Sequence, residues 1–255
     1  MLERTPTVNA VPARSTDIKL VIFDCDGVLV DSELITNRVY AKMLNELGIP
    51  VTLDDMFEQF VGRSMNYCWE LVARMLGRPP PPHLIEEYLA RTTAALQSEL
   101  QAVPGIEETL DALDAIRVPY CVASSGTHEK MATTLGITGL LPRFRGRISS
   151  VTDVANAKPA PDVFLHAAGR NGVTPSACCV VEDSPTGVAA GVAAGMTVYG
   201  YCALTPELRL IEAGARHTFS DMRRLPGLLF GHAPPAAGIQ WLDETEPSDR
   251  TRTRG

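Results

Sequence analysis

Short apolar runs alternate with longer stretches of helical pattern over most of the chain. Leu20-Val21-Ile22-Phe23 is apolar at four consecutive positions, the pattern of a strand buried on both faces of a parallel sheet. Comparable runs stand at Tyr120-Cys121-Val122-Ala123, near Arg147-Ile148-Ser149, at Cys179-Val180-Val181 and at 197–201. Between them, helical spacing is read at 106–116, 128 to about 135, 162–170 and 185–194. Strands and helices alternating at this length predict a doubly covered parallel sheet.

One block breaks the alternation. Residues 33–102 show helical stretches through Leu47, then over 53–60, 64–76 and 84 to about 100, with no strand pattern between them. Ser32 reads as the capping residue of the first helix, and Gly48-Ile49-Pro50 ends it. Pro79-Pro80-Pro81-Pro82 cannot be helix interior and sets the last helix apart. The expected organisation is an α/β core of residues 18–32 and 103–230 with a Rossmann-like parallel sheet. An all-helical unit, 33–102, is inserted into it. Residues 1–17 and 231–255 read as flexible tails.

Composition narrows the function classes. At 255 residues the hydrophobic content of 45% and charged content of 21% are those of an ordinary globular protein. A formal net charge of -7 argues against a nucleic-acid surface or a polybasic membrane patch. No apolar run approaches the roughly 20 residues of a membrane span, and the first 17 residues lack the apolar centre of a signal peptide. Of the six cysteines, Cys25, Cys121, Cys178, Cys179 and Cys202 lie in or beside strand-like runs. Their spacing matches no zinc site. Reduced thiols and a cytoplasmic location are expected.

The candidate chemistry sits at strand ends. Asp24 and Asp26 follow the first run with one residue between them, where open α/β sheets bind ligands. Two acids so placed repel unless a cation or a shared proton separates their charge, and Gly27 lets the chain turn away. A solvated acidic turn gives the same pattern. Ser124-Ser125-Gly126-Thr127 ends the second run with hydroxyls and free N–H groups, an anion cradle or simply a helix cap. Lys158, before Pro159 and Pro161, places one ammonium ahead of a proline-stiffened helix start. It could face a phosphoryl oxygen, separate two carboxylates, or stay solvated. Val180-Val181-Glu182-Asp183-Ser184 repeats the opening design, and a helix of small residues from Gly187 can pack close behind it. Acids at two strand ends could share one hard cation.

Taken in order, Asp24-Cys25-Asp26-Gly27-Val28, Ser124-Ser125-Gly126, Lys158-Pro159 and Glu182-Asp183-Ser184 with Gly187 resemble the four motifs of haloacid dehalogenase-superfamily phosphohydrolases. The helical block resembles that family's cap, and Val30-Asp31-Ser32-Glu33 the hinge into it. Within the family, the run from Cys25-Asp26-Gly27 through Val30-Asp31-Ser32-Glu33 is similar to that of sugar-phosphate phosphatases and β-phosphoglucomutases. Ser98-Glu99-Leu100 and Tyr201-Cys202-Ala203 resemble the 6-phosphogluconate phosphatase branch.

The resemblance implies a nucleophile at Asp24 that forms an aspartyl phosphate. It implies an acid, then base, at Asp26. Mg²⁺ would be held by Asp24, the Asp26 backbone carbonyl and Asp183, with Glu182 assisting. Ser124, Ser125 and Lys158 would bind the phosphoryl group. Carbon–halogen cleavage has no alkoxide to protonate, and the family's dehalogenases lack the second Asp, so Asp26 argues for phosphate chemistry. The mutase-like members carry a His where Thr36 stands and an Arg where Met65 stands, with Arg63 nearby as a shifted equivalent. Hydrolysis is therefore expected over mutase turnover, which stays the alternative. Arg63 and Asn66 are the substrate-specificity candidates, followed by Tyr67 and Arg38. His128 could reach a substrate but suits a surface helix start, and His83, His166 and His217 show no partner pattern. Trp69 and Met75 are expected in the cap core. The expected partner is a small phosphorylated sugar or sugar acid, and the expected assembly a monomer or weak homo-oligomer.

Overall fold

A computed structural model of the chain describes residues 18–60 and 65–231. The first apolar run becomes β1 (Leu20–Phe23). Four helices follow, with no strand between them among the described residues: α1 (Ser32–Glu46), α2 (Leu53–Gln59), α3 (Met65–Leu76) and α4 (Leu84–Glu99). Alternation then resumes through α5 (Ile106–Ala115), β2 (Tyr120–Ser124), α6 (His128–Ile137), α7 (Leu141–Phe144), β3 (Ile148–Ser150) and α8 (Asp162–Arg170). It ends with β4 (Cys178–Glu182), α9 (Pro185–Ala193), β5 (Thr197–Tyr201), α10 (Glu207–Glu212), β6 (His217–Phe219) and α11 (Leu225–Phe230). The strands form one six-stranded sheet in the order β3-β2-β1-β4-β5-β6, and every neighbouring pair is parallel.

Side-chain alternation explains why β1 is apolar throughout. Val21 and Phe23 point into one layer with Val122, Val181 and the α5 residues Ile106, Leu110 and Leu113. Leu20 and Ile22 point into the other with Val180, Val198 and the α8 residues Phe164 and Ala167. All four β1 side chains are fully buried, as a central strand covered by helices on both faces requires.

The helical block has its own apolar cluster, built on Tyr40, Leu44, Met56, Phe60 and Val72. Tyr40 lies 5.4 Å from the Phe60 ring, 5.5 Å from Trp69 and 5.1 Å from Tyr88. The chain leaves for this block and returns from it side by side. Asp31 N–H donates to Gln101 O at 3.1 Å and Val103 N–H to Leu29 O at 3.0 Å, while Gln101 N–H donates to Asp31 Oδ1 at 2.9 Å.

Four expectations change. The sequence pattern predicts five strands, but the three-residue β6 adds a sixth. It is an edge strand, with His217 and Thr218 half-buried, and too short to show periodicity; the His217 ring stacks 5.2 Å from Tyr199. The short helices α7, α10 and α11 were likewise below the length at which helical spacing is readable. Ser32 is not the cap of α1, since Asp31 occupies that position and the Ser32 hydroxyl turns elsewhere, as described below. Met75 is exposed rather than in the helical core. Among the described residues all six cysteines are free, five of them buried, and no helix is long and apolar enough to cross a membrane.

Phe23, fully buried and edge-on to Tyr120 at 6.4 Å, links β1 to its neighbour across the sheet. Phe23→Ala is expected to lower the unfolding free energy by about 3–5 kcal/mol. Urea denaturation would read this as a fall in midpoint, and a loss under about 1 kcal/mol would contradict a rigid central strand.

Candidate active site

Strand register brings the separated motifs together. Phe23 of β1 stands level with Val122 of β2 and Val181 of β4, and Asp24 N–H continues the ladder by donating to Val181 O at 3.0 Å. Asp24 therefore emerges beside the ends of both neighbouring strands, at Ser124 and Glu182. This is the point where the strand order reverses direction, between β1 and β4, and open α/β sheets form their ligand crevice there. A cavity of about 520 Å³ opens at that edge, lined by Asp24, Asp26, Glu33, Ser124, Ser125, Lys158, Glu182, Asp183, Ser184 and Thr186.

Lys158 is the hub. Its side chain is only 5% exposed, and its ammonium donates to Asp24 Oδ1 at 2.6 Å, Glu182 Oε1 at 2.7 Å and Ala123 O at 3.1 Å. It also sits 4.6 Å above the Phe164 ring, so all its faces are partnered. Both oxygens of Glu182 are taken: the second accepts from the backbone N–H and the hydroxyl of Ser184, each at 3.0 Å. Gly187 makes room for this, because a Cβ there would fall 1.8 Å from Glu182 Oε1. The Ser184 hydroxyl in turn caps α9 through Gly187 N–H at 3.0 Å.

Asp26 has different company. Its Oδ1 accepts from the Ser32 hydroxyl at 2.6 Å, and its Oδ2 from Lys130 Nζ at 2.7 Å. Ser32 stands at the entry to the helical block, so that junction is tied to the site. Ser124 Oγ accepts from Gly126 N–H at 3.1 Å, and the Ser150 hydroxyl donates to Gly126 O at 2.7 Å, which together fix the loop after β2.

The family now follows from both sequence and fold. A model for haloacid dehalogenase-like hydrolases matches residues 18–195. The chain belongs to the haloacid dehalogenase-like hydrolase family. It is 34% identical over 215 residues to the 6-phosphogluconate phosphatase of Escherichia coli K12, covering 83% of this chain and 94% of that protein. It is 37% identical over 204 residues to the probable pseudouridine-5'-phosphatase of Drosophila melanogaster, covering 77% and 85%. Among solved structures, a family hydrolase from Deinococcus radiodurans R1 with bound phosphate and sodium superposes with a TM-score of 0.73 at 32% identity, over 84% of this chain and 98% of that one.

The electrostatics of this family site are set by a surplus of acid. Among the described residues, five carboxyl groups and a single lysine line the cavity. Burial, then the neighbouring carboxylates, push Asp24 up to about 7 despite Lys158. Burial and the Glu33 charge push Asp183 well above the usual carboxylate range. Lys158 remains charged: burial opposes its ammonium, but Asp24 and Glu182 outweigh burial and raise it. Each charged carboxylate beyond the one that Lys158 neutralises is therefore costly in this cavity.

The donor set fits Mg²⁺. Among the described residues no three His, Cys, Asp or Glu side chains converge to hold an ion by themselves. Mg²⁺ commonly uses one or two carboxylates and completes its octahedron with waters and phosphate oxygens. Asp24, Asp183 and the Asp26 backbone carbonyl are the oxygen donors here that could hold such an ion. Gly27 permits it: its φ is +79°, and a Cβ there would fall 2.0 Å from Asp183 Oδ2.

Sequence reasoning did not single out Lys130 or Glu33. Lys130 lies one turn into α6, and its pairing with Asp26 spans 104 positions, so no local signal announces it. Glu33 was legible only as part of the hinge motif. His128 is diverted from the cavity, with Nε2 2.9 Å from both Asp153 oxygens. Arg38 pairs with Glu99 across α1 and α4, away from the cavity, and the exposed Tyr67 ring lies under Arg74. Arg63 and the side chain of Asn66 lie outside the described residues, as do the two tails at 1–17 and 232–255. His166 does have a partner, Ser149 Oγ at 3.2 Å, and His83 lies 3.8 Å from Glu87.

Replacing Lys158 with Met leaves Asp24 and Glu182 buried without their shared cation. The variant is expected to lose about 3 kcal/mol of unfolding free energy at pH 7, read by urea denaturation in metal-free buffer. Wild-type stability in that variant would mean the carboxyls do not depend on the ammonium.

Proposed function

We propose that the protein is a Mg²⁺-dependent phosphatase that hydrolyses small phosphorylated sugars or sugar acids through an aspartyl phosphate on Asp24. The observation that carries this reading is the division of labour between two carboxyls two positions apart. Asp24 is buried against Lys158 at 2.6 Å, while Asp26 is held by Ser32 at the entry to the helical block and by Lys130 of α6. In this reading Asp24 meets phosphorus and Asp26 the leaving group.

The Asp24 carboxylate attacks phosphorus, and the bond from phosphorus to the substrate oxygen breaks. Asp26 delivers a proton to that departing oxygen. Asp26, now ionised, then takes a proton from water as the water oxygen attacks the aspartyl phosphate. Inorganic phosphate leaves and Asp24 returns as carboxylate. Lys158 and the loop at Ser124 and Ser125 hold the phosphoryl oxygens in line. Mg²⁺ bound by Asp24, Asp183 and the Asp26 carbonyl would let anionic carboxylate and anionic phosphate approach each other. Glu182, with both oxygens already engaged, serves this scheme by fixing Lys158 and Ser184.

The helical block, 33–102, is proposed to act as a cap over the cavity, with the paired segments at 29–31 and 101–103 as its hinge. The relatives named as phosphatases support phosphoester hydrolysis, and the E. coli relative makes a phosphorylated sugar acid the first compound to test. Asp26 weighs against carbon–halogen cleavage, which leaves no alkoxide to protonate. A mutase is the weaker reading. Thr36, where the family's mutases carry His, turns its hydroxyl back onto Glu33 O at 3.1 Å. Free cysteines among the described residues accord with a reducing compartment such as the cytoplasm.

With Mg²⁺ present, the wild-type protein is expected to release phosphate from p-nitrophenyl phosphate and from 6-phosphogluconate. Asp24→Asn should lower both rates by at least about 10³-fold with an unchanged circular dichroism spectrum. Full activity in that variant would sink the mechanism. Chelation with EDTA should abolish turnover, and Mg²⁺ should restore it. Supplied with β-glucose 1-phosphate, the protein should yield free phosphate in excess of glucose 6-phosphate; the opposite ratio would make it a mutase.

A further inference from the structure

Glu33 stands in the first turn of α1, where Thr36 Oγ1 and Asn37 Nδ2 donate to its backbone carbonyl at 3.1 and 2.8 Å. Its backbone is thus fixed, and its carboxyl lines the cavity. One oxygen, Oε2, is fully buried and has no hydrogen-bond partner. Among the described residues, the other buried side-chain atoms without partners are Tyr40 Oη, Trp69 Nε1, Thr92 Oγ1 and Thr205 Oγ1, and none of these residues lines the cavity. A buried acceptor left empty costs roughly 1–3 kcal/mol, and such a group in a folded protein calls for an explanation.

Its neighbours indicate what would fill it. Ser32, its neighbour in the chain, donates its hydroxyl to Asp26 Oδ1 at 2.6 Å, so Glu33 and Asp26 are tied to the same junction. Under the proposed mechanism Asp26 faces the leaving oxygen, whereas Lys158 and Ser124 face the phosphoryl group. Glu33 thus lies on the side of the cavity that receives the alcohol. A carboxyl there cannot serve the phosphate, because the two are like-charged. It suits a neutral hydrogen-bond donor on the alcohol.

Resting on the phosphatase reading, we propose that Glu33 is a specificity-determining residue: its Oε2 accepts a hydrogen bond from a substrate hydroxyl on the carbon next to the one that bears the phosphate. The substrate class this selects is polyol and sugar phosphates with a vicinal hydroxyl, over alkyl phosphates of equal size.

The test compares glycerol 1-phosphate with 3-hydroxypropyl phosphate, which lacks only the vicinal hydroxyl, in the wild type, Glu33→Gln and Glu33→Met, with saturating Mg²⁺. The wild type is expected to favour glycerol 1-phosphate in kcat/KM by about 10- to 100-fold, the range set by leaving a buried acceptor unpaired. Glu33→Met should bring the ratio close to one, mainly through a higher KM for glycerol 1-phosphate. Glu33→Gln, which keeps a carbonyl acceptor, should fall between. Equal losses on both substrates, or an unchanged ratio, would overturn the assignment while leaving the phosphatase reading standing. A higher Mg²⁺ concentration for half-activation in Glu33→Gln would also overturn it, by giving Glu33 to the ion's water shell. Failure of the wild type to hydrolyse either compound or p-nitrophenyl phosphate would remove the phosphatase reading itself, and this proposal with it.

Discussion

The buried ammonium of Lys158, shared between Asp24 and Glu182 at 2.6 and 2.7 Å, holds this structure's functional end together. It comes from a loop ahead of α8, while its two partners end β1 and β4. Without it, three segments far apart in sequence would bring only negative charge and dry surroundings to one point. Burying a charge is tolerable only when it is paired and fully hydrogen-bonded, and Lys158 meets that condition through both carboxylates, a backbone carbonyl and the face of Phe164. Glu182 is thereby saturated, with Ser184 on its other oxygen.

That constraint separates the carboxyls into roles. Asp24 is ion-paired and buried, Glu182 is locked, and Asp183 faces the cavity under the charge of its neighbours. Asp26 sits apart, gripped by Ser32 from the junction with the helical block and by Lys130 from α6. The contacts of Asp26 therefore bridge the α/β core and the start of α1. A movement of that helix would be felt first at Asp26 and Glu33, next to where an alcohol leaves under the proposed mechanism. The glycines are consistent with this crowding. Gly27 leaves space for the Asp183 carboxyl and Gly187 for that of Glu182, and a side chain at either position would overlap those carboxyls.

Much of this was readable along the chain because the relevant signals are local. The uninterrupted apolar run at Leu20–Phe23 could only be a strand buried on both faces. The absence of any such run between Glu33 and Ala102 marked the helical insertion. Asp24, Asp26, Ser124, Ser125, Lys158, Glu182 and Asp183 each follow or precede a recognisable element, and the cavity is lined by all of them. Where the reading failed, the signal was short or the partner distant. β6 has three residues and an edge position, so neither periodicity nor full burial marks it. Ser32 looked like a helix cap because Ser commonly caps, yet its hydroxyl goes to Asp26.

The amino-acid sequence by itself determined the fold class, the order of elements and the identity of the acids and the lysine. These follow from side-chain periodicity and from residue types at strand ends, both of which are properties of neighbouring positions. Tertiary structure decided which acid would be locked and which would stay available. It also decided that Lys130 reaches Asp26 across 104 positions, and that Glu33 is buried with an empty acceptor. Those outcomes depend on strand order and on how α1 and α6 pack over the sheet edge. Charge pairing and desolvation are set by distances in space, and no spacing along the chain encodes them.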